Sequence, residues 1–488
     1  MKLSRIKDLT KDAAVYGFGS VAVKVVGFLL IPVYTHYLSP ADYGVLALIT
    51  MYSSLVATVI GLGQHQAVFR YYFKYDEGDP RRRGVIRTFL ALAAAMAVPC
   101  GLAALAARPL SRSLLDDAAL APLLAMGVGI TYLDLVEKVP LVLIRAQRLA
   151  VRFATYTLIR TTTTICFVLF FVVAIHKKAE GVLSGQLLSG VLFTALLYVW
   201  MMRGVTPRYD REIGKQMLAF GLPLLPGLLL YFVFQNASRW FLQRYQGADA
   251  VGLFALAVQF GSILLLMNTA IQTAWPMFLY GAEKDEGVKG VYARALTYYL
   301  VVAGYVATGI VVFVPEVYRF MVEARFHPSM PVIPYTLLAV VLLGLHQFGG
   351  VGINLKEKTS WYVLVTGSSA ATAVVLNFAL VPRYSIMGAA LATVFAYAVQ
   401  AGMSLMISHR LYPVRYEVRR ILTLAAVFCG VAWLTRVVPW PNLAAALAGK
   451  AVLLAAGIPL LLWLLRFQTE DEWRRVVQLL RRRRAATA

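Results

Sequence analysis

Acidic side chains are scarce in this chain: 24 aspartates and glutamates stand against 47 lysines and arginines in 488 residues, and charged residues of both signs make up only 15%. A soluble fold of this length needs a charged shell that such a composition cannot supply, which excludes an ordinary globular domain. Cysteine is almost missing. Cys100, Cys166 and Cys429 each lie alone in an apolar run, which excludes a disulfide framework and a thiolate metal site. The pattern GxxxxGK[ST] is absent, so no nucleotide-binding loop of that type can drive work in this chain. Long polar connectors are missing too, which leaves little room for a catalytic domain between spans.

What remains is hydrocarbon. Apolar residues account for 60% of the chain, arranged as about fourteen stretches of roughly 20 residues, the length that crosses a bilayer core of about 30 Å as a helix. Segments such as Thr88 to Ala107 and Val251 to Tyr280 carry no charge. Strand-like alternation is absent from them, and only helices or closed barrels satisfy their backbone within lipid. The expected fold is therefore all-α and polytopic, with spans at 12–37, 43–69, 85–107, 118–144, 153–175, 180–202, 216–243, 250–280, 295–314, 331–353, 360–381, 385–408, 421–437 and 444–465.

Sidedness follows from the basic residues. With the N-terminus in the cytoplasm, 33 of the 47 fall in cytoplasmic tails and connectors against 9 on the opposite side, which by the positive-inside rule puts both termini in the cytoplasm. The net charge of +23 is thus dispersed over short connectors, and no basic platform for nucleic acid forms. Beyond the last span, Trp473, Val476, Val477 and Leu480 recur at helical spacing among Arg474, Arg475 and Arg481 to Arg484. An amphipathic helix attracted to anionic membrane lipids is expected there, with a partner-binding helix as the alternative.

Three landmarks recur at a nearly constant offset. GVLAL (Gly44 to Leu48) answers GLFAL (Gly252 to Leu256) 208 residues on; the basic turn Arg145, Gln147, Arg148 answers Lys356, Glu357, Lys358; and Gly181 opens a span as Gly388 does, 207 residues later. The shared offset equals six spans and suggests a six-helix lobe over 1–207, a second over 208–413, and an additional helix pair with the basic tail over 414–488. The segments PVYTHYLSPADYGVLAL (Pro32 to Leu48), MNTAIQTAWPMFLY (Met267 to Tyr280) and MGAALATVFAY (Met387 to Tyr397) resemble bacterial polysaccharide transporters, the oligosaccharide flippases of the multidrug/oligosaccharidyl-lipid/polysaccharide exporter superfamily. That resemblance implies two lobes that move an undecaprenyl-diphosphate-linked glycan across the bacterial cytoplasmic membrane by alternating access. Coupling to H+ or Na+, and polysaccharide assembly proteins as partners, follow from the resemblance as well.

Polar groups inside spans are costly unless they face water or a partner, so they are the site candidates. Lys24 lies about 18 Å into its span on a stripe with Gly17, Ser20 and Gly27, facing a cavity or pairing with a carboxylate. Asp134, Glu137 and Lys138 cluster in the fourth span, where Asp134 and Lys138 can pair at i and i+4, leaving Glu137 as a candidate for ion coupling or a structural bridge. Arg160 precedes the tract Thr161 to Thr164 and is a candidate anion contact. Gln235 and Arg239 share a face with Gln243 that is expected to line the second lobe, Arg239 either binding a sugar or diphosphate oxygen or snorkelling to the nearby periplasmic interface, and Asn268 and Gln272 suit sugar hydroxyls or helix joining. The second span presents Thr50, Ser54, Thr58, Gly61 and His65 on one face; His65 either titrates near neutral pH or packs, as does His346. A diphosphate crossing the bilayer needs fixed cations, best supplied by arginine, and sugars need neutral hydrogen-bonding partners. No metal or organic cofactor is expected. Three other functions compete: a lipid II flippase, whose cargo carries the same diphosphate; a drug or metabolite antiporter, for which an acidic cavity would be expected; and a membrane polysaccharide polymerase, which would need a substantial external loop.

Overall fold

A computed structural model describes residues 27–467, apart from residues 77, 116, 148, 202–204 and 284. Lys24 and the basic tail after the last span lie outside the described residues. The described residues are predominantly helical, with no strand among them. The first half runs through α1 (Ile31–Tyr37), α2 (Pro40–Gly61), α3 (Gln64–Lys74), α4 (Pro80–Ala95), α5 (Ala97–Leu105), α6 (Ala107–Leu114), α7 (Ala121–Ala146), α8 (Ala150–Leu169) and α9 (Lys178–Met201). The second half comprises α10 (Arg211–Gly221), α11 (Leu225–Gly281), α12 (Val288–Met321), α13 (Ile333–Gly349), α14 (Val351–Leu355), α15 (Trp361–Leu411), α16 (Val418–Val437), α17 (Leu443–Val452) and α18 (Ile458–Leu464).

Among the described residues, eleven helical stretches are long and apolar enough to cross a membrane. Two are of double length. As one straight rod, the 57 residues of α11 would reach about 86 Å, almost three times the hydrocarbon thickness. Gly247, at φ 81° and ψ −179°, breaks α11, and Ser385, at φ 48°, breaks α15. Each stretch thereby supplies two of the expected spans. The third and last expected spans are interrupted as well: α4 gives way to α5 at Met96, and a π-helical turn at Leu453–Gly457 joins α17 to α18.

The start of α2 is written in its sequence. Ser39 accepts from the Asp42 amide at 3.1 Å, Asp42 accepts from the Ser39 amide at 3.0 Å, and Pro40 occupies the first turn. This capping box fixes where α2 begins, and therefore where Gly44 lies. A side chain on Gly44 would strike the carbonyl of Ala248, and one on Gly252 would strike the carbonyl of Pro40. The contact is reciprocal, since Pro40 and Gly44 correspond at the offset of 208 to Ala248 and Gly252. Without a hydrophobic drive between helices in lipid, close backbone approach over small residues is what holds such a crossing. Gly181 and Gly388 also share a role: each sits where the chain doubles back, against the carbonyls of Phe171 and Leu380 respectively.

The largest core joins both halves of α11 to α12, α13 and α15, with Tyr292, Tyr318, Phe260 and Phe326 fully buried. A second core holds α10 against α3, α4 and α7 through Ile213, Met217, Val68, Val85 and Val139. The C-terminal helices α16 to α18 rest on α12: Phe428 fills the notch at Gly304, and the Tyr305 hydroxyl donates to the Leu454 carbonyl at 2.6 Å. Cys100 is buried, while Cys166 and Cys429 are exposed on the bundle.

Because Gly44 and Gly252 meet backbone and not flexible side chains, Gly44→Val and Gly252→Val should each cost about 1–3 kcal/mol through overpacking, while Gly402→Ala, which meets open space, should leave stability unchanged. Thermal unfolding in detergent checks this, and similar losses at the two positions are expected from the reciprocity.

Candidate functional site

The polar residues of the first half converge between α2, α7 and α8. Asp134 and Glu137 lie one turn apart on α7, and Tyr156 and Arg160 lie one turn apart on α8, so two pairs face each other. Arg160 Nη2 is 2.8 Å from Asp134 Oδ1 and 2.8 Å from Glu137 Oε2. The Tyr156 hydroxyl donates to Glu137 Oε1. Glu137 is only 3% exposed, whereas Asp134 is 49% exposed and marks the open side of the group. Below Arg160, Thr164 donates to the Arg160 carbonyl at 2.8 Å and lies 2.6 Å from Ser189 on α9, which ties the arginine's turn to a third helix.

Asp134, Glu137 and Arg160 line a cavity of about 480 Å³, shared with Ser53, Ser54, His65, Lys138 and Arg145. Three permanent cations and two carboxylates face it, so its lining carries a net positive charge with histidine neutral. The hydroxyls of Thr50 and Ser54 are turned back on their own helix, bonding to the carbonyls of Leu46 and Met51. His65 and Lys138 also line an adjoining space of about 210 Å³ that reaches Gly61 and Thr58. His65 sits edge-on to Phe69 at 5.6 Å, with its Nδ1 buried and unpartnered.

One expectation about pairing is corrected. Asp134 does not bind Lys138; Arg160 takes both carboxylates, because α8 packs beside α7 at a height that brings its planar guanidinium between them. Lys138 is left facing the cavity with no ion pair among the described residues. Tyr156 was not foreseen, although its position four residues before Arg160 was the available signal.

The remaining candidates lie elsewhere. Arg239 donates to Asn236 Oδ1 at 3.1 Å and sits near Tyr43, which neighbours Gly44 of the crossing on α2. Gln235 bonds the Tyr231 and Tyr397 hydroxyls at 2.7 and 3.1 Å, joining α11 to α15. Asn268 is fully buried, donating to the Val340 carbonyl at 2.9 Å and accepting from Tyr299 at 3.0 Å. Its amide therefore joins three helices. Gln272 is exposed, and His346 lies 2.6 Å from the Ser404 hydroxyl.

Removing Arg160 strands the buried Glu137 carboxylate, so Arg160→Gln should destabilise the protein by about 3–5 kcal/mol. Adding Glu137→Gln should recover much of that loss, and a double-mutant cycle by thermal unfolding measures the coupling.

A family model described as polysaccharide biosynthesis protein matches residues 9–281. A protein of the Lsg locus of Haemophilus influenzae is 23% identical over 291 residues, spanning 57% of this chain and 67% of that protein. An uncharacterised membrane protein of the same organism is also 23% identical, over 290 residues. Among solved structures, the lipid II flippase MurJ in an inward closed conformation superposes with a TM-score of 0.75 at 11% identity, covering 92% of this chain and 98% of that one. An inward-facing multidrug resistance MATE transporter of the MOP superfamily gives 0.61 at 17% identity, covering 80% and 95%. The fold is thus that of MurJ and the MATE transporters. With more than half of its length matched, from before the first described helix to the end of α11, the chain belongs to the polysaccharide biosynthesis protein family.

Proposed function

We propose that this chain is a flippase that carries an undecaprenyl-diphosphate-linked oligosaccharide across the bacterial cytoplasmic membrane by alternating access, with both termini in the cytoplasm and without performing catalysis. The observation that carries this reading is the positively lined cavity between α2, α7 and α8. A diphosphate cannot enter hydrocarbon without compensating charge, and Lys138 and Arg160 offer it at the depth where a bilayer has none. The reciprocal crossing at Gly44 and Gly252 supports a division into lobes at 1–207 and 208–413, with the additional pair and tail at 414–488, and supplies a seal that can part as two bodies move. Lys24, Gln235, Arg239 and Gln272 extend the cargo path in this reading, and anionic lipids and polysaccharide assembly proteins are its partners.

Glu137 is the coupling group. Protonation of its carboxyl weakens the hold on Arg160 and releases the guanidinium towards the diphosphate; ionisation recaptures it. Cargo and proton thereby compete for one arginine. The likeness in fold to a lipid II flippase favours a second reading, in which the diphosphate-linked cargo is a peptidoglycan precursor.

Deleting the chromosomal gene should cause a lipid-linked oligosaccharide to accumulate on the cytoplasmic leaflet, identified by mass spectrometry of extracted lipids. Accumulation of lipid II selects the second reading, and altered drug resistance with neither lipid accumulating refutes both in favour of an antiporter. In reconstituted vesicles, Glu137→Gln should abolish the dependence of flipping on a pH gradient, and retained dependence removes Glu137 from coupling.

A further inference from the structure

A second charged cavity, which shares no lining residue with the first, lies between α12 and the C-terminal helices, at the end of α12 whose connectors are poor in basic residues. It encloses about 730 Å³. Its floor is an ion pair: Lys450, only 5% exposed, contacts Glu316 Oε1 at 2.6 Å and donates to the Val312 carbonyl at 3.0 Å. The pair cancels its own charge. Glu316, itself 12% exposed, keeps its second oxygen, Oε2, buried without a hydrogen-bond donor.

The rim is cationic. Arg319 lies one turn beyond Glu316 on α12, and Arg436 lies in the last turn of α16; both are exposed, and neither has an ion-pair partner among the described residues. With floor and rim counted together, the lining carries two uncompensated positive charges. Trp440 walls the cavity, its indole donating to the Thr435 carbonyl at 3.2 Å, as an aromatic does at a membrane interface. Val311 and Leu443 complete an apolar side. The cavity thus offers guanidinium donors outside, a lone buried acceptor inside, and hydrocarbon contact alongside.

We propose that this cavity binds a phosphate-bearing lipid headgroup that also carries hydroxyl groups: phosphate oxygens accept from Arg319 and Arg436, and a headgroup hydroxyl donates to Glu316 Oε2. Arginine is suited to phosphate through paired donors, and an unsatisfied buried carboxylate oxygen is stabilised by gaining a donor. The same chemistry is presented by phosphatidylglycerol of the surrounding leaflet and by the sugar diphosphate of a lipid-linked glycan. The site goes beyond the transport reading, because its charged residues, Glu316, Arg319, Arg436 and Lys450, belong to α12, α16 and α17, and none of its lining residues lines the cavity of α2, α7 and α8.

Native mass spectrometry of the full chain in detergent tests the site with three probes: phosphatidylglycerol, phosphatidylcholine and an undecaprenyl-diphosphate-linked disaccharide. The wild type should retain phosphatidylglycerol, the diphosphate lipid, or both, in preference to phosphatidylcholine, and R319Q/R436Q should weaken that retention about tenfold or more, as loss of charge-assisted contacts requires. Retention of phosphatidylglycerol alone identifies a structural lipid; retention of the diphosphate lipid alone identifies cargo. Equal retention of phosphatidylcholine, or unchanged retention in R319Q/R436Q, overturns the proposal. Since both arginines are exposed, their removal should leave the thermal unfolding midpoint intact. Phosphatidylethanol, a phosphodiester of the same charge that lacks the glycerol hydroxyls, should bind more weakly than phosphatidylglycerol to the wild type, and equal binding of the two overturns the role of Glu316.

Discussion

Hydrocarbon cannot solvate a charge, and the placement of this chain's intramembrane ions follows from that constraint. Glu137 is buried against Arg160 and the Tyr156 hydroxyl, and Lys450 is buried against Glu316 and a backbone carbonyl. Neither pair is an inexpensive way to hold helices together, because desolvating two ions often costs as much as their attraction returns. Each does join elements distant in sequence at one defined register. The Arg160 group locks α8 onto α7, and the Lys450 pair locks the C-terminal helices onto α12.

The two pairs differ in what surrounds them. Arg160 holds two carboxylates and opens onto a cavity in which Lys138 and Arg145 leave the balance positive, so its pairing can be exchanged against an anionic load. Lys450 and Glu316 are more enclosed and self-neutral, with the surplus charge carried above them by Arg319 and Arg436. One arrangement suits an ion that changes partners during a cycle. The other suits a floor that stays in place while a headgroup docks over it.

The two halves also meet in a close backbone contact between α2 and α11. Its geometry depends on missing side chains, since Gly44 and Gly252 each approach a carbonyl of the opposing helix. Beside the glycines, Leu48 and Met51 of α2 are buried in one apolar core with Val251 and Phe254 of α11, so backbone proximity and side-chain packing act together at this crossing. Helices in lipid can separate from such a contact without exposing apolar surface to water.

The all-helical architecture and its long apolar helices were legible from the sequence because lipid imposes a length of about 20 apolar residues. Gly44 and Gly252 could be matched by offset, yet only the coordinates show that they touch each other. The composition of the polar site was legible too: Asp134, Glu137, Lys138, Arg160 and His65 stand out because charge within an apolar run is rare. Their pairing was not. Spacing along one helix allows Asp134 to meet Lys138, but α8 lies beside α7 at a height that periodicity does not specify, and there Arg160 binds both carboxylates. Asn268 likewise offered itself as a sugar contact until the tertiary structure placed Val340 and Tyr299 against both ends of its amide. The amino-acid sequence by itself determined that this chain lives in a membrane, how it is divided into helices and which charges it buries, since these depend on local composition; which charge meets which, and where cavities remain, was decided by the packing of helices against one another, which is a long-range property of the fold.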